Sequence, residues 1–285
     1  MKTLQKTAIS AAAVALLAGF ASTSALAADT PESPEAAGSP IAANVTVVND
    51  YRYRGISQSN FKPAIQGGFD YAHESGFYIG NWNSSISWIS DAASAGGKNN
   101  VSAPIEMDFY AGIKKELIGE GFASDLGVLQ YYYPTSGLPS GATNPNTTEI
   151  YAAQNFTFGP VTGFAKFSYA ATTLFGFTNS AGSYYPDLTL NYDTGIWGLA
   201  LNAHVGYQYV AGNVQGSKPN QTNSSLYSYT DYKLGVTKDF GGGLSLAAAY
   251  ISTNAGSTKG VYNYSSPSGK NLGGSTGIVS LTKTF

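Results

Sequence analysis

The sequence predicts an all-β protein: a closed, antiparallel, up-and-down transmembrane β-barrel of about twelve strands, with short periplasmic turns and longer extracellular loops. Three observations carry the prediction. Apolar and polar residues alternate in one stretch after another. The connections between stretches are short and long in turn. The chain opens on an export signal and closes on an aromatic residue.

Alternation comes first. Side chains of a strand point to opposite faces in turn, so a period of two gives one apolar and one polar face. Over 105–117, Ile105, Met107, Phe109, Ala111 and Ile113 oppose Glu106, Asp108, Tyr110, Gly112 and Lys114. Over 196–210, Trp197, Leu199, Leu201, Ala203, Val205, Tyr207 and Tyr209 oppose Ala200, Asn202, His204, Gly206 and Gln208. Over 76–88, Tyr78, Gly80, Trp82, Ile86 and Trp88 form the expected apolar face, and Ile79, Asn81, Asn83, Ser85 and Ser87 the polar one. The remaining strands are expected at 42–54, 64–73, 121–133, 147–158, 160–172, 185–193, 228–239, 243–253 and 275–285.

Connections come next. Short turns fall at His73-Glu74-Ser75-Gly76, Ile118-Gly119-Glu120-Gly121, Phe158-Gly159-Pro160, Asp193-Thr194-Gly195 and Phe240-Gly241-Gly242-Gly243, where Gly, Asp and Pro supply the dihedrals of tight reversals. Between them lie longer polar loops near 55–63, 89–104, 134–146, 173–184, 211–227 and 254–274. A soluble β-sandwich shares the composition but has no reason to alternate loop lengths this way.

The ends complete the case. Lys2 and Lys6 precede an apolar run from Ala8 to Phe20, and Ala25-Leu26-Ala27 fits a cleavage site before Ala28. The run is short for a membrane-spanning helix. Residues 1–27 therefore read as a signal peptide, 28–41 as a loose periplasmic lead-in with three prolines, and 42–285 as the barrel. At the far end Phe285, Leu281 and Val279 fit the alternation that the outer-membrane barrel assembly machinery reads, while Lys283 departs from it. Export, both termini in the periplasm and residence in outer-membrane lipid are the expected localisation.

Composition excludes other classes. There is no cysteine, so neither a disulfide framework nor a thiolate metal site. Charged residues make up 11%, against 34 glycines and 21 tyrosines. The formal charge is −2, with no basic surface suited to nucleic acid. No phosphate loop or calcium-binding spacing is present, and neither cofactor nor metal is expected.

Details of register follow. Lys115, Lys238 and Lys283 interrupt apolar faces near the expected periplasmic ends, where a long stem lies along lipid and the ammonium reaches the headgroups. Gln130 and Gln154 fit the apolar faces poorly. Tyr51, Tyr53, Trp88, Tyr132, Tyr169, Tyr207 and Tyr209 gather toward the outer ends as an aromatic girdle.

Two segments carry a family resemblance: Asn49-Asp50-Tyr51-Arg52-Tyr53-Arg54-Gly55-Ile56-Ser57-Gln58-Ser59 and Gly76-Phe77-Tyr78-Ile79-Gly80-Asn81-Trp82. With Pro63-Ala64-Ile65-Gln66-Gly67-Gly68 between them and the closing Leu281-Thr282-Lys283-Thr284-Phe285, the chain resembles the bacterial TorF-type porins. The resemblance is specific over residues 45–88 and at the end. It implies an outer-membrane, porin-like protein and brings no substrate and no catalytic residue.

The expected function is passive diffusion of small hydrophilic solutes or ions through a charged lumen. Arg52 and Arg54, the chain's only arginines, alternate onto the lumen face near the outer end of the first strand. Nine acids (Asp50, Asp70, Glu106, Asp108, Glu116, Asp125, Glu149, Asp187 and Asp231) face five bases (Arg52, Arg54, Lys114, Lys166 and Lys233). Such rings of charge set ion selectivity; an interior salt-bridge lattice without transport is the bland alternative. His204 also faces the lumen, as a wall residue rather than a catalytic base. Twelve strands about 4.8 Å apart, tilted by about 40°, give a backbone diameter of roughly 24 Å, which a folded-in loop could still close. The competing readings are a non-conducting anchor acting through its loops, and a serine hydrolase dependent on His204.

Overall fold

The computed structural model describes residues 40–95, 97, 100–214 and 221–285. The expected signal peptide and almost all of the expected lead-in lie outside the described residues. In chain order the elements are β1 (Ile41–Val48), β2 (Arg52–Tyr53), β3 (Ile56–Ser57), β4 (Ala64–Ala72), β5 (Phe77–Ser85), α1 (Trp88–Ala95), β6 (Ile105–Gly119), β7 (Phe122–Tyr132), β8 (Thr147–Phe158), β9 (Val161–Ala170), β10 (Tyr184–Asp193), β11 (Leu199–Gln208), α2 (Asn223–Tyr227), β12 (Tyr229–Asp239), β13 (Leu244–Thr253), β14 (Ser257–Thr258), β15 (Val261–Tyr262) and β16 (Thr276–Thr284).

Twelve of these strands close a barrel in the order β1-β16-β13-β12-β11-β10-β9-β8-β7-β6-β5-β4. Each pairs antiparallel with its neighbours, and β1 meets β16 from Asn44↔Thr284 to Val48↔Ser280. Closure leaves no strand edge unpaired, the condition for a sheet to sit in lipid. The short turns and the long connections gather at opposite ends, as the spacing predicts.

The polarity of the two faces settles the class. Val47, Ile65, Phe69, Leu126 and Leu234 point outward and are exposed, while Thr46, Gln66, Asp70 and Asp125 are buried inside. A soluble sandwich would bury the first set and expose the second. For a barrel seated in lipid, Leu126→Arg in the middle of β7 is expected to cost about 2–4 kcal/mol, read as a shift in the guanidinium midpoint for folding into vesicles. An unchanged midpoint would mean that this face does not meet hydrocarbon.

Side chains that break the apolar belt make local bonds. Lys238 Nζ donates to the Trp197 carbonyl and Lys283 Nζ to the Gly242 carbonyl, both in short turns. Gln130 Nε2 donates to the Tyr131 carbonyl at 2.7 Å, and its Oε1 accepts from Thr148 Oγ1 at 2.5 Å. Gln154 accepts from Ser124 Oγ across the ladder at 2.7 Å. A polar group whose bonds are made locally is tolerated beside hydrocarbon, so the register at Gln130 and Gln154 stands.

Four expectations need correction. The first barrel strand stops at Val48 rather than at residue 54, and the chain then turns into the lumen. The faces of β5 are the reverse of those expected: Phe77 and Ile79 are exposed outside, whereas Tyr78 and Gly80 are buried. Tyrosine misleads here because its ring is apolar while its hydroxyl seeks a partner, and Tyr78 finds Asp125 inside the lumen at 2.7 Å. The expected strand over 76–88 ends at Ser85, and Trp88 opens α1 instead of joining a girdle. Tyr51 and Tyr53 are also buried inside, which leaves Tyr132, Tyr169 and Tyr207 as exposed aromatics near the long-loop ends.

Candidate functional site

The segment after β1 is a hairpin folded into the lumen. Asn49 fixes its root: its side-chain oxygen accepts from the Val279 amide at 2.8 Å and its amide donates to the Gly277 carbonyl at 3.3 Å. Asp50 then ties the two arms together. It accepts from Arg52 Nε at 2.7 Å, Ser57 Oγ at 2.6 Å and Ser59 Oγ at 3.2 Å. Strands β2 and β3 pair as Arg52↔Ser57 and Tyr53↔Ile56. The two residues between them, Arg54 and Gly55, have φ of 45° and 76°. Positive φ at both positions is the geometry of the tightest hairpin turns.

The tip bridges the walls. A Cβ on Gly55 would collide with Thr253 of β13 and come within 2.9 Å of Asp231 Cβ on β12. Arg54 donates to both Glu149 oxygens on β8, at 3.1 and 2.8 Å, and to Gln208 Oε1 on β11 at 2.6 Å. Its guanidinium lies 4.1 Å from the ring centre of Tyr185 on β10. A planar fork serves this site because it meets a carboxylate with two bonds and stacks on an aromatic face at once. Tyr53 adds a hydroxyl pair with Tyr131 of β7 at 2.7 Å, and Tyr51 donates to Glu106 of β6 at 3.2 Å. Arg52 donates to the Gly55, Leu272 and Gly274 carbonyls at 3.0, 2.6 and 3.2 Å.

A second cluster lies on the wall beside the tip. His204 Nε2 stands 3.1 Å from Asp231 Oδ2 and 2.9 Å from the Tyr185 hydroxyl, while its Nδ1 is 2.8 Å from Thr189 Oγ1. Asp187 Oδ1 is 3.9 Å from the same Nδ1. Lys233 pairs across the ladder with His204, and Lys166 pairs with Asp187. Lys166 also places its ammonium 4.6 Å from the Tyr151 ring centre. The side chains at the two ring nitrogens of His204 are Asp231, Tyr185, Thr189 and, more distantly, Asp187, with no serine hydroxyl among the described residues.

The predicted residues fall as follows. Glu106, Asp108, Glu149, Lys166, Asp187, His204, Asp231 and Lys233 are buried on the inner wall. Asp50, Arg52 and Arg54 are buried too, but on the hairpin rather than on the wall, because the chain leaves the barrel at Asn49. Glu116 sits exposed at the short-turn end, where it accepts from the Gly121 amide at 2.9 Å.

The sequence reading put Tyr110 on the inner face and Tyr78 on the outer one, and it missed the pairing of inward tyrosines with glycines. Tyr78, Tyr110, Tyr151 and Tyr185 cross the inner wall, and each lies over a glycine of another strand. A Cβ on Gly112 would strike the Tyr78 hydroxyl, one on Gly127 that of Tyr151, one on Gly80 the Tyr110 ring and one on Gly206 the Tyr185 hydroxyl. The abundance of both residue types thus has one cause: a bare backbone gives a large ring room to lie flat and reach an acid. Tyr78 and Tyr151 bond each other, and Tyr110 donates to Asp70. Glycine inside a strand signals such a close approach. Gly112→Ala is expected to destabilise by about 1–3 kcal/mol through overpacking, and trimming the ring in Gly112→Ala/Tyr78→Leu should recover part of it in the same unfolding assay. No recovery would mean that the two positions are not coupled.

With this geometry in place the sequence can be set beside known proteins. Residues 30–285 match the family described as "Bacterial protein of unknown function (Gcw_chp)". The chain belongs to the Gcw_chp family. The match runs through the hairpin and all twelve barrel strands of this Gcw_chp chain. No curated protein matches it. Among solved structures, the NanC porin aligns with a TM-score of 0.50 at 9% identity, over 86% of this chain and 98% of that one. The KdgM porin aligns with a TM-score of 0.48 at 6% identity, over 86% and 98%. At 9% identity the NanC likeness speaks for the fold alone, a closed antiparallel barrel.

Proposed function

We propose that this Gcw_chp chain is an outer-membrane channel for passive diffusion of small hydrophilic solutes or ions, narrowed at its long-loop end by the hairpin of residues 49–59. The observation that carries the reading is the polarity of the barrel: an apolar outer belt around a lumen lined by ionisable and hydroxyl side chains. Hydrocarbon outside and water inside is the environment such a wall suits. The long-loop end is taken as extracellular and the turns with both termini as periplasmic, after export by the N-terminal signal and insertion by the assembly machinery at Phe285. The resemblance to TorF-type porins points the same way.

Acids outnumber bases among the inward groups, so cations and neutral solutes are the expected permeants. The test is reversal potential across a potassium chloride gradient, with osmotic swelling of proteoliposomes in small polyols. Cation preference with polyol entry is the expected result. A preference for anions would mean that Arg52 and Arg54 dominate the narrowest point.

One observation favours a second reading. The Arg54 and Glu149 side chains are 1% and 2% exposed and satisfy each other, as they would in a stiffened, non-conducting barrel that acts through its outer loops. That reading requires a correctly folded protein with no swelling and no current.

A further inference from the structure

The long-loop end holds a cavity whose chemistry is opposite to that of the lumen beneath it. Its volume is about 650 Å³, and the hairpin residues Tyr53 and Ile56 form part of its lining. Its walls come from α1 and from the loops that follow β7, β9 and β13. Cavities of roughly 300–1,000 Å³ are the size that encloses a small organic molecule.

Aromatic rings dominate the walls, and they meet edge to face. Trp88 and Tyr133 stand 5.5 Å apart at 88°, Tyr53 and Phe175 5.3 Å apart at 80°, and Phe177 and Tyr264 6.3 Å apart at 79°. These spacings are the ones that a further ring joins most readily, by offering an edge to a face.

The lining is nearly without available charge. Among its described residues there is no Lys, Arg or His, and Asp91 is the one carboxylate. Asp91 already accepts from Ser87 Oγ at 2.7 Å. Most other polar groups are similarly committed. Gln208 receives Arg54, Asn263 donates to the Leu226 carbonyl at 2.6 Å, and the Tyr264 hydroxyl donates to the Tyr227 carbonyl at 2.8 Å. Asn60 differs: it lines the cavity at a φ of 53°, and its side-chain amide makes no hydrogen bond among the described residues. An anionic ligand would lose its hydration here with no cation to replace it, and a cation would find one carboxylate already bonded to Ser87, whereas an uncharged ring would lose little and gain contact with the aromatic walls.

We propose that this outer cavity is a binding site for a small uncharged aromatic compound, its ring seated among Trp88, Tyr133, Phe175 and Phe177 and a hydroxyl or carbonyl group meeting Asn60. The site lies above the hairpin, so its occupancy is measurable whether or not the barrel conducts.

The test is calorimetric titration of the full barrel in phospholipid nanodiscs with phenyl β-D-glucopyranoside, against empty nanodiscs. Methyl β-D-glucopyranoside carries the same sugar without the ring, and benzoate carries a ring with a charge. Saturable one-site binding of the phenyl glucoside, with both comparison compounds at least about tenfold weaker, is the expected result. Ala92→Trp, which fills the cavity from α1, should weaken binding by a further factor of ten or more. Asn60→Gly, which keeps the left-handed backbone and removes the amide, should weaken it several-fold. Folding of each variant is checked by its unheated electrophoretic mobility, because these loop positions lie outside the barrel ladder. No saturable binding to the folded protein overturns the proposal. So does equal binding of the methyl glucoside or of benzoate, or binding unchanged in both variants.

Discussion

Arg54→Ala is expected to lower the stability of the folded barrel by about 3–5 kcal/mol, the usual cost of stripping one partner from a buried ion pair. The loss has a specific origin. Glu149 lies 1% exposed and takes two bonds from Arg54, at 3.1 and 2.8 Å, beside a longer one from the Tyr131 hydroxyl at 3.4 Å. Without the guanidinium it is a buried carboxylate whose counter-charge is gone. Gln208 Oε1 loses its 2.6 Å donor and Tyr185 loses the cation 4.1 Å from its ring centre. The double variant Arg54→Ala/Glu149→Ala should be more stable than Arg54→Ala alone, since the orphaned charge is then absent. Guanidinium unfolding in lipid vesicles reads both. If Arg54→Ala unfolds at the wild-type midpoint, the hairpin is not anchored through Glu149.

Gly55→Val is expected to expel the hairpin tip from its seat while leaving the barrel ladder formed. Two separate effects act in the same direction. A φ of 76° is a conformation that a β-branched residue scarcely adopts. The new side chain would also collide with Thr253 and with Asp231 Cβ, 2.9 Å from the position of its own Cβ. Backbone strain and overpacking each cost about 1–3 kcal/mol, and moving the tip relieves both. Protease cleavage within residues 49–59 should rise at least about tenfold in the variant, with the band of the intact barrel otherwise retained. Cleavage equal to wild type would show that the tip tolerates a larger residue in place.

Much of the barrel was legible because its outer face is written in a period of two. The strands β6 and β11 match the expected faces residue by residue, for hydrocarbon outside demands an apolar side chain at every second position. The hairpin was not legible for the same reason. Tyr51 and Tyr53 alternate with Asp50, Arg52 and Arg54, so the pattern runs on past Val48 although the strand does not. What turns the chain is the pair of bonds from the Asn49 side chain to β16 and its approach, together with Gly55 at the tip. Gly55 was the available signal, since a glycine between two short alternating runs marks a tight turn.

The interior was legible by charge and illegible by ring. Glu106, Asp108, Glu149, Asp187, Asp231, Lys166, Lys233 and His204 were placed inside because an ionised group has no place in lipid. Tyrosine obeys no such rule: Tyr132 and Tyr169 face outward, whereas Tyr78 and Tyr185 face inward. The deciding feature is the glycine across the ladder, which only pairing register reveals. The helix α1 escaped notice because Trp88 extends the period of β5 by chance, while its true neighbours come from a loop after β7.

Single-channel conductance in a planar bilayer, with wild type beside Arg52→Ala/Arg54→Ala, addresses the central claim most directly. A channel narrowed by the hairpin predicts steady current in the wild type and, in the variant, a larger conductance with a stronger preference for cations. A folded wild-type barrel that passes no current, with the variant equally silent, would contradict it and leave the outer loops as the seat of function.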